Sequence, residues 1–215
     1  MNISTVSGIF RVRKEANAAR SVSVEIAREG EPRLMVKGSL LAYLVRVIRS
    51  HSTLNWRKYL TPPDLDIITG SVITSAWYPV GPFRRMGEAV FRELAGSDLE
   101  TVRKFGRAGV EGLLIVYPML VVPGNPARSL KKLADLKDLF FIADFDFKNF
   151  RTAANTIQYT MTRPREIPEE HLFLAFCYQI AGAAEGIVLH SGGQRARSEI
   201  ESAGRRYKIT VSWIG

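Results

Sequence analysis

Residues 156–163 read TIQYTMTR, and their alternating pattern predicts the strand around which the fold is organised. Ile157, Tyr159 and Met161 fall on one side, whereas a glutamine and two threonines fall on the other. Half-buried β-strands alternate in this way because successive side chains point to opposite faces of a sheet. Arg163 follows on the same face as Tyr159. Two interpretations stay open: the pair grips an anionic ligand, or Tyr159 packs in the core while Arg163 is solvated.

The C-terminal end of the chain predicts two more strands, at about 194–202 and 206–214, joined by a turn at Gly204. The second of them alternates apolar side chains on one face, namely Tyr207, Ile209, Val211 and Trp213. We expect strand 155–163 to be the third member of the same antiparallel sheet.

Elsewhere apolar residues recur at the three- and four-residue spacing of α-helices. Helices are expected to begin near five residues: Ser39, Pro82, Leu99, Pro126 and Pro168. The predicted fold class is therefore α+β, with a helical layer packed on a small C-terminal antiparallel sheet.

Local signals predict how these helices begin and pack. Ser39 and Asn125 are suited to cap the helices that follow them, and Ser97 with Glu100 fits a capping box. The helix from Leu99 contains three glycines that would let a neighbour approach closely, at some cost in helix stability: Gly106, Gly109 and Gly112.

The first 37 residues are predicted to form an extension to one domain of residues 38–215. In them SVSVEIA and RLMV alternate apolar and polar residues on either side of an EGEP turn, which predicts a β-hairpin. A two-stranded hairpin is not stable alone in water. It is expected to lie against the body or against a second copy, which makes it a candidate for self-association.

The composition indicates an ordered globular protein, because 46% of its 215 residues are hydrophobic and 24% are charged. The first residues contain no apolar run of signal-peptide length. Apolar stretches such as 112–123 contain prolines and are shorter than the roughly 20 residues that cross a bilayer. A cytoplasmic location is expected. The single cysteine, Cys177, excludes an intramolecular disulfide and is predicted to be a buried, inert thiol.

The chain carries 30 basic and 21 acidic residues, which gives a formal net charge of +9. Such a charge is compatible with nucleic acid or with another anionic partner. The basic residues are scattered along the chain and form no recognised nucleic-acid module, so a nucleic-acid partner is not expected.

Four stretches together resemble a family that is abundant in myxobacteria and related deltaproteobacteria and is described as a paralogous family of unknown function. They are VKGSLL at 36–41, SAWYPV at 75–80, the aromatic-ended helix that reaches Phe150, and YKITVSW at 207–213. The resemblance covers roughly residues 36–215.

That family is in turn similar to a wider group that contains H-NOX haem sensors, four-vinyl-reductase domains and the small subunits of the TRAPP tethering complex. The resemblance implies helices packed on a small sheet, an apolar pocket or groove between them, and a ligand-binding or assembly role without catalysis. TIQYTMTR resembles the Tyr-x-Ser-x-Arg signature with which H-NOX proteins hold haem propionates. Tyr159 and Arg163 match this signature, but Met161 stands where it has serine.

Haem is nevertheless not expected. An H-NOX protein needs a histidine on the helix before that strand, because neutral imidazole is the axial donor to iron. This chain has no histidine between His51 and His171. Asp144 and Asp146 have no histidine neighbours, so the sequence predicts neither a metal site nor a cofactor.

Five side chains are the candidates for binding an apolar or anionic small ligand: Trp77, Tyr117, Phe147, Tyr159 and Arg163. Aromatic rings line apolar cavities, and a guanidinium suits carboxylate or phosphate. The alternative is ordinary packing, in which Trp77 locks the junction before Pro79 and the other rings fill the core.

The sequence names no catalytic group. His190 and Ser191 are adjacent but have no identified orienting carboxylate. The glycines at 192–193 follow the end of a predicted helix, whereas the glycines of a phosphate-binding loop precede the start of one.

Two hypotheses remain. The first is a non-catalytic regulatory or scaffold module that binds a protein partner or forms a homodimer through the N-terminal hairpin. The second is a sensor of an apolar or anionic small ligand.

Overall fold

The computed structural model describes residues 34–142, 146–165 and 167–215, so most of the predicted N-terminal hairpin lies outside the described residues. The helices and strands follow one another in this order: β1 Met35–Lys37, α1 Gly38–Ser50, α2 Pro62–Thr69, β2 Trp77–Pro79, α3 Val80–Glu93, α4 Leu99–Val116, α5 Pro126–Asp135, α6 Lys137–Phe140, β3 Phe141–Ile142, β4 Phe147–Ala153, β5 Thr156–Thr162, α7 Glu170–His190, β6 Gln194–Ala203 and β7 Arg206–Ile214. The predicted α+β class is confirmed.

The larger sheet is antiparallel and has the strand order β4-β5-β7-β6. The predicted strand at TIQYTMTR is confirmed as β5, and its alternate residues Ile157, Tyr159 and Met161 are at most 2% exposed. The two predicted closing strands correspond to β6 and β7. The sequence favours a helix that ends in the aromatic stretch near Phe150, but residues 147–153 form β4 instead and add a fourth strand beside β5.

A second, smaller sheet has the order β2-β1-β3 and was not predicted. The fully buried Val36 of β1 pairs with Tyr78 on one side and Phe141 on the other. The alternation at RLMV predicted a strand but paired it within the N-terminal hairpin, whereas β2 and β3 have only two or three residues and are too short to show alternation. β1 lies on the N-terminal side of residue 37 and is nevertheless paired within the body. The division of the chain at that residue stays a prediction.

α7 is the central helix of the fold, because one buried cluster joins it to α4, α5, β5 and β7. It confirms the helix predicted near Pro168, and among the described helices it alone is long and apolar enough to cross a membrane. Of its most apolar stretch, 56% is buried inside the protein. Burial of more than half of this stretch is consistent with its composition, since the core helix of a globular protein is rich in apolar residues.

α4 and α7 pack in close contact at glycine positions. A Cβ atom at Gly106 would overlap the backbone carbonyl of Gln179, and one at Gly182 would overlap the backbone of α4. The prediction that glycines of α4 admit a close neighbour is confirmed for Gly106. It is wrong for Gly109 and Gly112, where an added Cβ atom would meet at most an ordinary van der Waals contact.

The helix starts agree with the predicted caps only in part. Asn125 caps α5, because its side chain accepts a hydrogen bond from the amide of Arg128. α4 is capped by Asp98 instead of Ser97, and the Asp98 carboxylate accepts from two amides of the first turn. Ser97 has a φ angle of 61° because it belongs to the left-handed turn that ends the preceding helix. Ser39 lies inside the first turn of α1 and makes no cap.

Candidate functional site

Tyr159 lies at the centre of the predicted ligand site and is fully buried. Its hydroxyl donates a 2.7 Å hydrogen bond to the backbone carbonyl of Leu130 in α5. Burial raises the pKa of the phenol well above its usual value, and nearby Asp135 raises it further, so the hydroxyl stays protonated. The ring of Phe147 lies against it, with 5.2 Å between the centroids. Other residues of the protein therefore contact both the hydroxyl and the ring of Tyr159.

Arg163 follows β5 and reaches the segment that leads into α7. Its Nη1 atom donates to the carbonyls of Ile167 and Pro168. Its own carbonyl accepts a hydrogen bond from the guanidinium of Arg205. Its Nε atom is shielded from solvent and has no hydrogen-bond partner among the described residues. The side chain thus holds the turn between β5 and α7.

Trp77 and Tyr117 lie in other parts of the fold. Trp77 is half-buried in β2, and the Lys37 ammonium lies 4.5 Å from its ring centroid, within cation–π range. Tyr117 ends α4 and packs edge-to-face on Phe140, with centroids 5.2 Å apart.

Of the five predicted site residues, only Phe147 and Tyr159 are in recorded contact with each other. A role of the five in ligand binding stays a prediction.

A row of aromatic rings fills the boundary between the N-terminal helices and the larger sheet. Phe83 of α3 packs edge-to-face on Phe141, which packs in the same way on Phe176 of α7. Phe176 contacts Phe173, whose ring lies 4.9 Å from that of Tyr207 in β7. Each ring buries a large apolar area, so the row joins α3, β3, α7 and β7 through ring contacts.

A buried ionic cluster, which was not predicted from the sequence, joins α4, α7 and β6. Glu185 is 1% exposed and pairs with Arg103 and Arg107. Ser198 donates a hydrogen bond to the Glu185 carboxylate and accepts one from Arg103 through its carbonyl. An acidic residue in the apolar interior of one helix, with two arginines four positions apart on another, was the available signal. The opposite charges pair with one another, so this cluster serves the fold.

An open groove of about 310 Å³, here called the α4–α7 groove, lies on the surface between α4 and the end of α7. Its lining includes Lys104, Arg107, Ala108, Glu111 and Leu189. A second open groove lies beside α1 and the chain after α2. Neither groove is lined by any of the five predicted ligand-binding residues.

Solved structures of H-NOX proteins are similar to this chain over most of its length. A mutant H-NOX protein from K. algicida in the Fe(II) unliganded form is 14% identical, with a TM-score of 0.56 over 83% of this chain and 97% of that chain. An H-NOX protein from S. oneidensis in the Fe(II)NO ligation state is 10% identical, with a TM-score of 0.58 over 83% and 99% of the chains. The chain shares the H-NOX fold.

A mutant H-NOX protein of T. Tengcongensis gives the same result, with 14% identity and a TM-score of 0.56 over 83% of this chain and 98% of that chain. No protein-family model matches the chain, and no curated protein matches it. The resemblance to H-NOX proteins that the strand motif implies is thus confirmed for the fold alone.

The side chains present do not fit a haem held in the manner of the H-NOX signature. All three histidines, His51, His171 and His190, are exposed. Burial raises the pKa of the Cys177 thiol, so it stays protonated and is no thiolate donor. The Tyr159 hydroxyl, which would hold a propionate, is bonded to Leu130. No cluster of three metal-ligating side chains occurs in the described part of the chain.

Proposed function

We propose that this protein is a non-catalytic regulatory domain that uses an H-NOX-like fold without haem. The observation that carries the proposal is the hydrogen bond from Tyr159 to Leu130. The hydroxyl of the motif's tyrosine is thereby bonded to another part of the core. Arg163 likewise binds backbone carbonyls of its own turn. The tyrosine and the arginine of the motif then stabilise the fold. The lack of catalysis and the cytoplasmic location are predictions from the sequence.

We propose protein interaction as the mode of action. The wider group that the sequence resembles includes the TRAPP small subunits, which are assembly modules. The myxobacterial family that the sequence resembles is similar to this group. The aromatic row from Phe83 to Tyr207 packs α3, β3, α7 and β7 against one another, which supports a role for the surface of the domain instead of its interior. A domain of this kind would act through its surface, by binding a protein partner or a second copy.

Sensing of a small ligand other than haem is the second candidate, and the comparisons favour it. The similar proteins are H-NOX proteins whose iron is described in Fe(II) and Fe(II)NO states. An apolar or anionic ligand would need to separate packed rings, such as Phe147 from Tyr159. Further side chains that such a ligand could contact are Trp77, Tyr117 and Arg163.

Absorbance spectroscopy and native mass spectrometry of the freshly purified full chain test these proposals. Cells supplied with a haem precursor are expected to yield protein without a porphyrin absorbance band and with the mass of the polypeptide alone. A porphyrin band that survives purification would overturn the haem-free proposal.

A retained mass without porphyrin absorbance would support sensing. In that case Phe147→Ala should release the ligand, whereas Phe150→Ala should retain it. Phe150 is the matched control because its ring lies on the same strand and is 50% exposed.

A further inference from the structure

One edge of the larger sheet is covered by a helix. β4 and β6 are the two edge strands of this sheet. In β6 the carbonyl of Ser198 points away from β7 and accepts a 2.7 Å hydrogen bond from Arg103 of α4. An open edge offers unpaired amides and carbonyls to any extended chain, and proteins therefore cover or protect such edges.

The other edge, at β4, is open in its first half. The amide of Thr162 donates to the carbonyl of Asp146. These two residues are directly opposite each other, since the next pair along the ladder is Phe147 and Met161. Facing pairs of antiparallel strands alternate between bonded and non-bonded, so Phe147 and Asn149 direct their amides and carbonyls away from β5. In the described part of the chain, no hydrogen bond reaches these groups.

The strand predicted at residues 21–27, SVSVEIA, needs an edge of this kind. In the small sheet, Met35 and Val36 of β1 each have a partner in β2 and another in β3, so a further strand cannot pair with them. β2 and β3 have only three and two residues, and Pro79 of β2 has no amide to donate. β4 has seven residues, as many as the predicted strand.

The chain is long enough to bring residues 21–27 to β4. Met35 lies opposite Ile142, and Phe147 follows Ile142 by five positions. Facing Cα atoms of paired strands are about 5 Å apart and five residues span at most about 18 Å, so Met35 and Phe147 are within about 23 Å of each other. The eight positions from Ala27 to Met35 can span about 27 Å when extended.

We propose that residues 21–27 pair with β4 and form a fifth strand of the larger sheet. The two valines and the isoleucine of the segment then fall on the same face as Phe147, which packs against the buried cluster that includes residues of α5. The alternation fixes this choice of face, because a shift by one residue would put all three apolar side chains in water. Glu25 falls on the opposite face together with Lys148, which is 62% exposed.

Covalent connection favours this segment over a second copy or another protein. A strand on a short linker is present at a high effective concentration, whereas a separate chain must be captured from solution. The sequence left two positions open for the N-terminal extension, against the body or against a second copy, and the inference selects the body. It does not depend on the proposed function, because it concerns how the sheet is completed with or without a ligand.

Hydrogen exchange of the full chain, followed by nuclear magnetic resonance, tests the pairing. The amides of Phe147 and Asn149 are expected to be protected in the unchanged protein, because they bond to the added strand. Val24→Asp places a charge on the covered face and should speed the exchange of both amides by at least about tenfold. The amides of Lys148 and Phe150, which face β5, should keep their rates, and this separates loss of the added strand from general unfolding.

Ser23→Asp is the matched control, because it adds the same charge one residue away on the open face. It should leave Phe147 and Asn149 protected. Cross-strand Overhauser contacts between residues 21–27 and β4 in the unchanged protein check the pairing without any substitution, and their absence would refute it. Unprotected amides at Phe147 and Asn149 would do the same, as would equal effects of the two substitutions. Protection that weakens on dilution would show instead that a second copy covers β4.

Discussion

The hydroxyl of Tyr159 donates a 2.7 Å hydrogen bond to the backbone carbonyl of Leu130 and thereby joins β5 to α5. The ring of Tyr159 is fully buried, so this bond forms away from competing water. The tyrosine of a motif that resembles a cofactor-binding signature here connects two elements of the core.

Tyr159→Phe is therefore expected to lower the free energy of unfolding by about 1 kcal/mol, the usual net value of one hydrogen bond. Urea denaturation followed by circular dichroism measures the change. Tyr43→Phe is the control, because Tyr43 is 37% exposed and removing its hydroxyl should have little effect. Equal losses in both variants would show that the bond to Leu130 contributes nothing specific.

Gly182→Ala is expected to destabilise the protein by about 2 kcal/mol or more, because overpacking must separate two helices in contact. The added methyl group would overlap the backbone carbonyl of Arg103 on α4. Gly87→Ala in α3 is the matched control, since nothing lies within 4 Å of its added Cβ atom. That variant should be unchanged or stabilised by up to about 1 kcal/mol, the helix propensity gain of alanine over glycine. Thermal and urea unfolding of both variants check this pair.

Glu185→Gln is expected to lower the free energy of unfolding by about 3 kcal/mol, because it leaves Arg103 and Arg107 without their buried counter-charge. Glu88→Gln provides the comparison. Glu88 pairs with Arg92 at 2.8 Å on the surface of α3, where such a pair contributes about 0.5 kcal/mol or less. Similar small losses in the two variants would mean that the buried cluster is dispensable.

Stability below about pH 4 is expected to depend on Asp64. This carboxyl is fully buried and accepts two 2.7 Å hydrogen bonds from the Arg85 guanidinium. Burial raises the pKa of Asp64, but hydrogen bonds from Arg85 and Thr61 outweigh it and leave the pKa below its usual value. A lowered pKa stabilises the fold above the pKa of the unfolded chain, and that stability is lost as the pH falls through the pKa of the folded state.

Asp64→Asn should accordingly flatten the loss of unfolding free energy below about pH 4, where the wild-type protein becomes less stable. Urea titrations at a series of pH values measure the slope. Asp66→Asn, on the exposed side of the same helix, should keep the wild-type slope. A wild-type slope in Asp64→Asn would contradict the assignment.

Cys177 is expected to react with a thiol reagent only after unfolding. The side chain is fully buried in α7, and burial raises its pKa, so the native protein presents no thiolate. The absorbance of the chromophore that the reagent releases measures the reaction rate of the thiol in native buffer and in denaturant. Rapid reaction of the native protein would show that the helix opens readily.

Long patterns in the sequence predicted three of the four strands of the larger sheet correctly. The alternation through Tyr159 and through Ile209 identified β5 and β7, because a period of two becomes clear over seven or more residues. The alternation at residues 33–36 predicted a strand but not its pairing with β2 and β3, and the stretch near Phe150 carries apolar rings that suit a helix or a strand. Their conformation depends on pairing with chain segments far away in sequence.

The candidate site shows the same contrast between local patterns and contacts that are distant in sequence. The residue types of a motif are visible in a sequence, whereas the partners of their polar atoms are not. Tyr159 bonds to a carbonyl 29 residues earlier, and Arg103 bonds to a carboxylate 82 residues later. No local pattern encodes contacts at these separations.

Residue types and local spacing were enough to predict the α+β class, the alternation of β5 and the lack of a histidine between His51 and His171. The chain carries these features in any conformation. Long-range packing was needed to establish that Tyr159 bonds to Leu130, that Glu185 lies between two arginines, and that the end of α4 remains exposed. Each of these depends on which distant segments pack together, and packing is a property of the whole fold.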